Sequence, residues 1–141
     1  KIDPYGSNIS QARKPAKYLF MTPAIRLSLL NITGQEGTFL TRQGKLLEDI
    51  AALHFYREFV TPGIGNISYD SSQESADFIL QIANKKQLAI EIGMGDKELR
   101  QVIASMEKIK CDYGIVFCSG PLTLVKDKNI VKIPLDYFLL M

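Results

Sequence analysis

Two acids stand alone in the most apolar part of the chain. Residues 76–93, ADFILQIANKKQLAIEIG, read as two strands joined by a polar turn at 84–87. Side chains alternate along a strand, so Ala76, Phe78, Leu80 and Ile82 are expected on one face and Asp77, Ile79 and Gln81 on the other. In the second strand Leu88, Ile90 and Ile92 form one apolar face, and Ala89, Glu91 and Gly93 the opposite one. A carboxylate in such a run is solvated, paired or bound to a cation, because burying it bare costs several kcal/mol. A third acid belongs with these two. Over 44–59 the apolar residues Leu47, Ile50, Ala51, Leu53 and Phe55 recur at helical spacing, and Glu48 shares a helix face with Ala52, Phe55 and Phe59. It sits at the rim of the core or is held inward for a purpose. Its neighbours Asp49 and Glu58 read as ordinary solvent-side charges, and His54 as a helix-surface or core-edge residue.

The elements that must position these acids follow from the pattern around them. Residues 1–17 read as a polar loop with a small basic cluster, Arg13, Lys14 and Lys17, taken as solvated with phosphate contact as the alternative. Residues 18–21 read as a short strand. Thr22 and Pro23 then open a helix that carries Ile25, Leu27, Leu29 and Leu30 and stops near Asn31. Gly34 and Gly37 mark a loop, and Thr61-Pro62-Gly63 ends the second helix. Residues 66–70 form a plausible strand ahead of the central hairpin. Asp96 can cap a helix over 97–110 whose Leu99, Val102, Ile103, Met106 and Ile109 face inward. Strands follow at 113–118 and 130–133, with a short one at 122–125, and Pro134 opens a last apolar helical turn. A helix between two strands implies a crossover in a mixed sheet with helices packed on it.

Composition sets limits on what such a domain does. The chain has 141 residues, 46% hydrophobic and 23% charged, enough for one globular core. A net charge of +2 argues no nucleic-acid role by itself. Its two cysteines, Cys111 and Cys118, make no disulfide framework, and the single histidine, His54, rules out most zinc sites and argues against a His-based triad. There is no signal peptide, apolar spanning run, Walker-type phosphate loop or dinucleotide fingerprint, so a cytoplasmic location and no membrane partner are expected.

Helix with glutamate, strand with aspartate, strand with a following glutamate, helix, strand: this order resembles that of PD-(D/E)XK nuclease-like domains. More specifically, the chain resembles the C-terminal nuclease-like domain attached to a family of archaeal and bacterial AAA-type ATPases. The resemblance rests on KYLFMTPAIRLSLL at 17–30, GKLLEDIAALHFYREF at 44–59, SADFILQIANKKQLAIEIG at 75–93 and IVKIPLDYFLLM at 130–141. It implies an α/β, restriction-endonuclease-like fold, a mixed β-sheet flanked by helices, over 44–141. Residues 1–43 would then be a linker and the strand-helix tail of a preceding region. It also implies that the chain is part of a longer protein with an ATP-binding region upstream. Carried over by position, Glu48 is the helix acid, Asp77 the first strand acid and Glu91 the acid of E-x-K. These three would hold Mg²⁺ through hard oxygen ligands.

The family's lysine should stand two residues after the glutamate, and here that position is Gly93. Lys97 is the candidate to replace it from the following helix. Three functions stay open on this basis: a degenerate, inactive or impaired nuclease-like C-terminal module of a larger ATPase that binds DNA or a protein partner; an active Mg²⁺-dependent endonuclease using Glu48, Asp77, Glu91 and Lys97; and a structural or homo-oligomerisation domain.

Overall fold

A computed structural model describes residues 1–6, 15–34, 43–83 and 85–140. The molecule is α/β: a six-stranded, open, mixed sheet with helices on both faces. The strands are β1 (Gly65–Ser68), β2 (Phe78–Ile82), β3 (Gln87–Ile92), β4 (Tyr113–Cys118), β5 (Thr123–Val125) and β6 (Ile130–Pro134), in the spatial order β1-β2-β3-β4-β6-β5. The helices are α1 (Pro23–Ile32), α2 (Gln43–Phe55), α3 (Arg100–Ile109) and α4 (Leu135–Leu139). A π-helical turn over Tyr56–Val60 continues α2. The pairs β1–β2 and β2–β3 are antiparallel, and β3–β4 and β4–β6 are parallel. The chain crosses from β3 to β4 through α3, as parallel neighbours require.

Both sheet faces are buried, which explains why the central strands carry apolar residues on both sides. On one face Phe78, Leu80, Ile90, Ile92 and Phe117 pack with Leu47, Ala51, Ala52 and Phe55 of α2 and Phe138 of α4. Aromatic rings concentrate there: Phe117 and Phe138 lie 4.3 Å apart, and Phe55 meets Phe78 edge-on at 5.8 Å. On the other face Ile79, Ala89, Val116, Cys118 and Ile130 pack with Val102 of α3, flanked by Leu99, Ile103, Met106 and Ile109. The residues expected to face inward, Leu99 just ahead of α3 and Val102, Ile103, Met106 and Ile109 within it, do so, and Ser105 is buried beside them. Gly114 lets this helix come close, since a Cβ there would meet Val102 Cγ1 at 2.5 Å.

Several local expectations are corrected. Residues 18–20 form no strand; only Lys17 bridges, to Ile2. Thr22 precedes α1 without a side-chain cap, and Asp96 does not cap α3 but pairs with Lys132. Ala76 lies ahead of β2 and packs with Ile79 and Val102, not with Phe78, because the strand alternation begins only at Phe78. Arg13, Lys14, Gly37 and Asn84 lie outside the described residues.

The N-terminal residues pack onto this unit. Ile2 is 6% exposed and belongs to the α2-side core. Leu30 of α1 is buried, and α1 packs on α2. No helix among the described residues is long and apolar enough to cross a membrane.

Candidate active site

The C-terminal end of β3 meets the first turns of α2 and the loop before α3. This junction forms a cleft of about 360 Å³, lined by Gln43, Glu48, Asp77, Glu91, Gly93 and Lys97 among others. All four side chains singled out from the sequence therefore share one cavity. The sheet register accounts for two of them: Phe78 pairs with Ile90, so the next step sets Asp77 opposite Glu91. Helix α2 accounts for the third, since burying Ala52 and Phe55 carries Glu48 inward with them, to 7% exposure.

The carboxylates are crowded and unevenly satisfied. Asp77 Oδ2 accepts from the Ile92 amide at 3.0 Å. Glu91, 2% exposed, accepts from Lys97 Nζ at 2.9 Å through Oε1, while its Oε2 is buried without a hydrogen-bond partner. Glu48 Oε1 accepts from Lys45 Nζ at 2.6 Å. Its Oε2 lies 2.6 Å from Lys17 Nζ in an ion pair. Lys17 Nζ is also 3.8 Å from Asp77 Oδ1.

The protonation equilibria reflect this crowding. Burial, then the Glu48 charge, pushes the Asp77 carboxyl above its ordinary range, and the Ile92 amide and Lys17 only partly offset the rise. Burial and the Asp77 charge likewise raise Glu91 against the pull of Lys97. At Glu48 burial acts upward too, but Lys17 and Lys45 overcome it and the net direction is down. For Lys97 the desolvation cost is outweighed by the hydrogen bond and charge of Glu91, helped by Asp77 and Glu48, so its ammonium is held protonated.

Lys97 reaches Glu91 by way of Gly93. It lies in the loop between β3 and α3 rather than on the helix itself. A Cβ on Gly93 would stand 2.1 Å from Lys97 Cε and 2.9 Å from its Nζ. The lysine side chain thus runs through the space that a side chain at 93 would fill.

The donor set suits a hard divalent cation. Oxygen ligands are the right kind, burial and a neighbouring carboxylate raise both Asp77 and Glu91, and Glu91 Oε2 lacks a partner. The described residues nevertheless hold no group of three or more His, Cys, Asp or Glu arranged to grip a metal ion. Asp77 and Glu91 are the residues that would hold it, with Glu48 engaged by its two lysines.

The chain is 35% identical over its 141 residues to Uncharacterized protein MJ1637 of Methanocaldococcus jannaschii. That match covers all of this chain and 29% of the relative, so the chain spans under a third of the relative's length. No protein-family model matches the chain, and no solved structure matches it significantly.

Three charged residues with structural or site roles escape the sequence patterns. Lys17 reaches Glu48 and Asp77 from a segment expected to be solvated. Asp49 is not a solvent-side charge: its side chain is fully buried, held by Arg26 Nε at 2.5 Å, Arg26 NH2 at 2.9 Å and the Phe20 amide at 3.0 Å. Asp70, 6% exposed, takes hydrogen bonds from Ser72, Ser105 and Lys108. Ser105 in turn accepts from the Ala76 amide. That network ties α3 to the segment entering β2 next to Asp77. The available signal for Asp49 was Arg26, the lone charge in an otherwise apolar helix.

Proposed function

We propose that this chain is a restriction-endonuclease-like module of a larger protein, carrying a divalent-cation-dependent site for phosphodiester cleavage in DNA. Asp77 and Glu91 hold the cation, Glu48 supports them, and Lys97 takes the part of the E-x-K lysine that Gly93 cannot play. The observation that carries this reading is the passage of Lys97 through the vacant side-chain space of Gly93, ending 2.9 Å from Glu91 Oε1.

The division of labour follows from the charges. Lys97 is held protonated by Glu91 and its neighbouring acids, so it acts as a fixed positive charge and hydrogen-bond donor rather than as a base. Placed beside a phosphate in the cleft, it would stabilise the charge that develops on the oxygens during attack. Glu91 orients that ammonium through Oε1 and keeps Oε2 free as a ligand. When bound, a divalent cation supplies Lewis acidity toward a phosphate oxygen and a more acidic water. Asp77 is fixed for its role by the Ile92 amide, which immobilises Oδ2, while Oδ1 lies 3.8 Å from Lys17 Nζ.

The test is incubation of supercoiled plasmid with Mg²⁺ or Mn²⁺, comparing wild type with Glu91→Ala. Cleavage that Glu91→Ala abolishes supports the reading. No cleavage at high protein concentration with either metal rejects it. The second reading, an impaired module that binds DNA or protein, is favoured by the double pairing of Glu48 with Lys17 and Lys45. It predicts binding without cleavage.

A further inference from the structure

Glu48 has more positive charge than it needs. Lys45, on the same helix, already bonds Oε1, and its side chain is 54% exposed. Lys17 is the second cation and comes from far away in the sequence. Its backbone is stitched to Ile2 by two hydrogen bonds of 2.9 Å, and Ile2 is anchored in the core. The side chain then reaches over the Phe78 ring, 5.0 Å from its centroid, to end between Glu48 Oε2 and Asp77 Oδ1. Lys17 and Lys45 thus each hold one Glu48 oxygen at 2.6 Å. Only Lys17 also reaches Asp77, at 3.8 Å from Oδ1, so its charge serves both acids.

We propose that Lys17 is the resident counter-ion of Glu48 and Asp77, close enough to Asp77 Oδ1 that Lys17 and a divalent cation on Asp77 exclude one another. This rests on the cation-site reading above and adds a gate to it. An ammonium and a dication a few ångströms apart in a half-buried cleft repel strongly. Cation entry therefore requires the Lys17 side chain to swing out past Phe78, while its backbone stays on Ile2. The unpartnered Glu91 Oε2, which neither lysine satisfies, is the independent sign that the resting charge balance lacks a ligand. In this arrangement the segment around Lys17 sets how much cation the site needs before it is loaded.

The experiment is calorimetric titration of the protein with MnCl₂ alone, for wild type, Lys17→Met and Lys45→Met. Lys17→Met should bind Mn²⁺ about tenfold more tightly or better, because the competing charge is gone. Lys45→Met should change affinity by less than about threefold, since an exposed pair is well screened. Equal or weaker binding by Lys17→Met overturns the proposal, as does equal tightening in both variants, which would reflect net charge alone. A measurement on the wild type covers the case in which Lys17→Met does not fold. Brief acetic anhydride labelling, read by mass spectrometry, should modify Lys17 more as MnCl₂ is added, with Lys108 unchanged. If Mn²⁺ binds and Lys17 labelling stays flat or falls, Lys17 is not displaced and the gate is wrong while the cation site stands. If neither wild type nor a folded Lys17→Met binds Mn²⁺, the cation site itself fails and the gate with it.

Discussion

Lys97 fills the space that Gly93 leaves open, with its Cε 2.1 Å from where a Cβ on residue 93 would stand. The glycine and the lysine are therefore one device: the first residue has no side chain so that the second can reach Glu91. An alanine at 93 would collide only with the far end of a flexible side chain, not with backbone. Gly93→Ala is expected to cost about 1–3 kcal/mol in thermal stability, because moving Lys97 leaves the buried Glu91 carboxylate without its partner. It should lower cation-dependent DNA cleavage about tenfold or more by pushing Lys97 off Glu91. Paired melting and cleavage assays check this; an equally active Gly93→Ala would show that the Lys97 position does not matter.

Asp77 and Glu91 carry a stability penalty with a defined pH signature. Both carboxyls are raised in the folded state, so the folded protein holds their protons more tightly than the unfolded chain does. Their contribution is most favourable below the ordinary carboxylate range and is lost as pH rises through the raised values. Asp77→Asn should therefore melt higher than wild type at pH 7, with the gain fading below about pH 4. Saturating Mn²⁺ should raise the melting temperature of wild type and do little for Asp77→Asn. A variant that melts lower than wild type at pH 7 would mean that the carboxylate is stabilising.

The Arg26–Asp49 pair holds α1 onto α2, close to Glu48. Asp49→Ala leaves a guanidinium and the Phe20 amide without their acceptor and is expected to cost about 3 kcal/mol in urea unfolding. A loss below about 1 kcal/mol, the value of an exposed pair, would contradict the buried geometry.

DNA binding by the cleavage-deficient Glu91→Ala protein should weaken steeply with salt, since each phosphate contact releases counterions. Fluorescence anisotropy with a labelled duplex between about 50 and 200 mM salt reads the slope. A flat response, or no binding at low salt, would turn the search for a partner toward protein.

The parts legible in the sequence are those where burial follows periodicity. The apolar stripe of α3, the runs that became β2, β3 and β4, and the inward turn of Glu48 beside Ala52 and Phe55 are of this kind. Periodicity says which side chains are buried, but not which charge from elsewhere meets them. Asp49 looked solvated because its partner is 23 residues away on another helix. Lys17 looked solvated because its target acids lie 31 and 60 positions downstream, and only the tertiary fold brings them to 2.6 and 3.8 Å. The expected strand at 18–21 failed for a related reason: Leu19 packs on the α2-side core and Phe20 is held by Asp49 and Arg26, while Tyr18 and Met21 stay exposed.

The most direct test of the central claim moves the lysine back. Plasmid cleavage in Mg²⁺ or Mn²⁺ is compared for wild type, Lys97→Ala and the double variant Gly93→Lys/Lys97→Ala. The account predicts that wild type cleaves, Lys97→Ala does not, and the double variant recovers a substantial part of the rate, because a lysine from either position fills the same space beside Glu91. A wild type that cleaves nothing with either metal, or a folded double variant as inactive as Lys97→Ala, would contradict it.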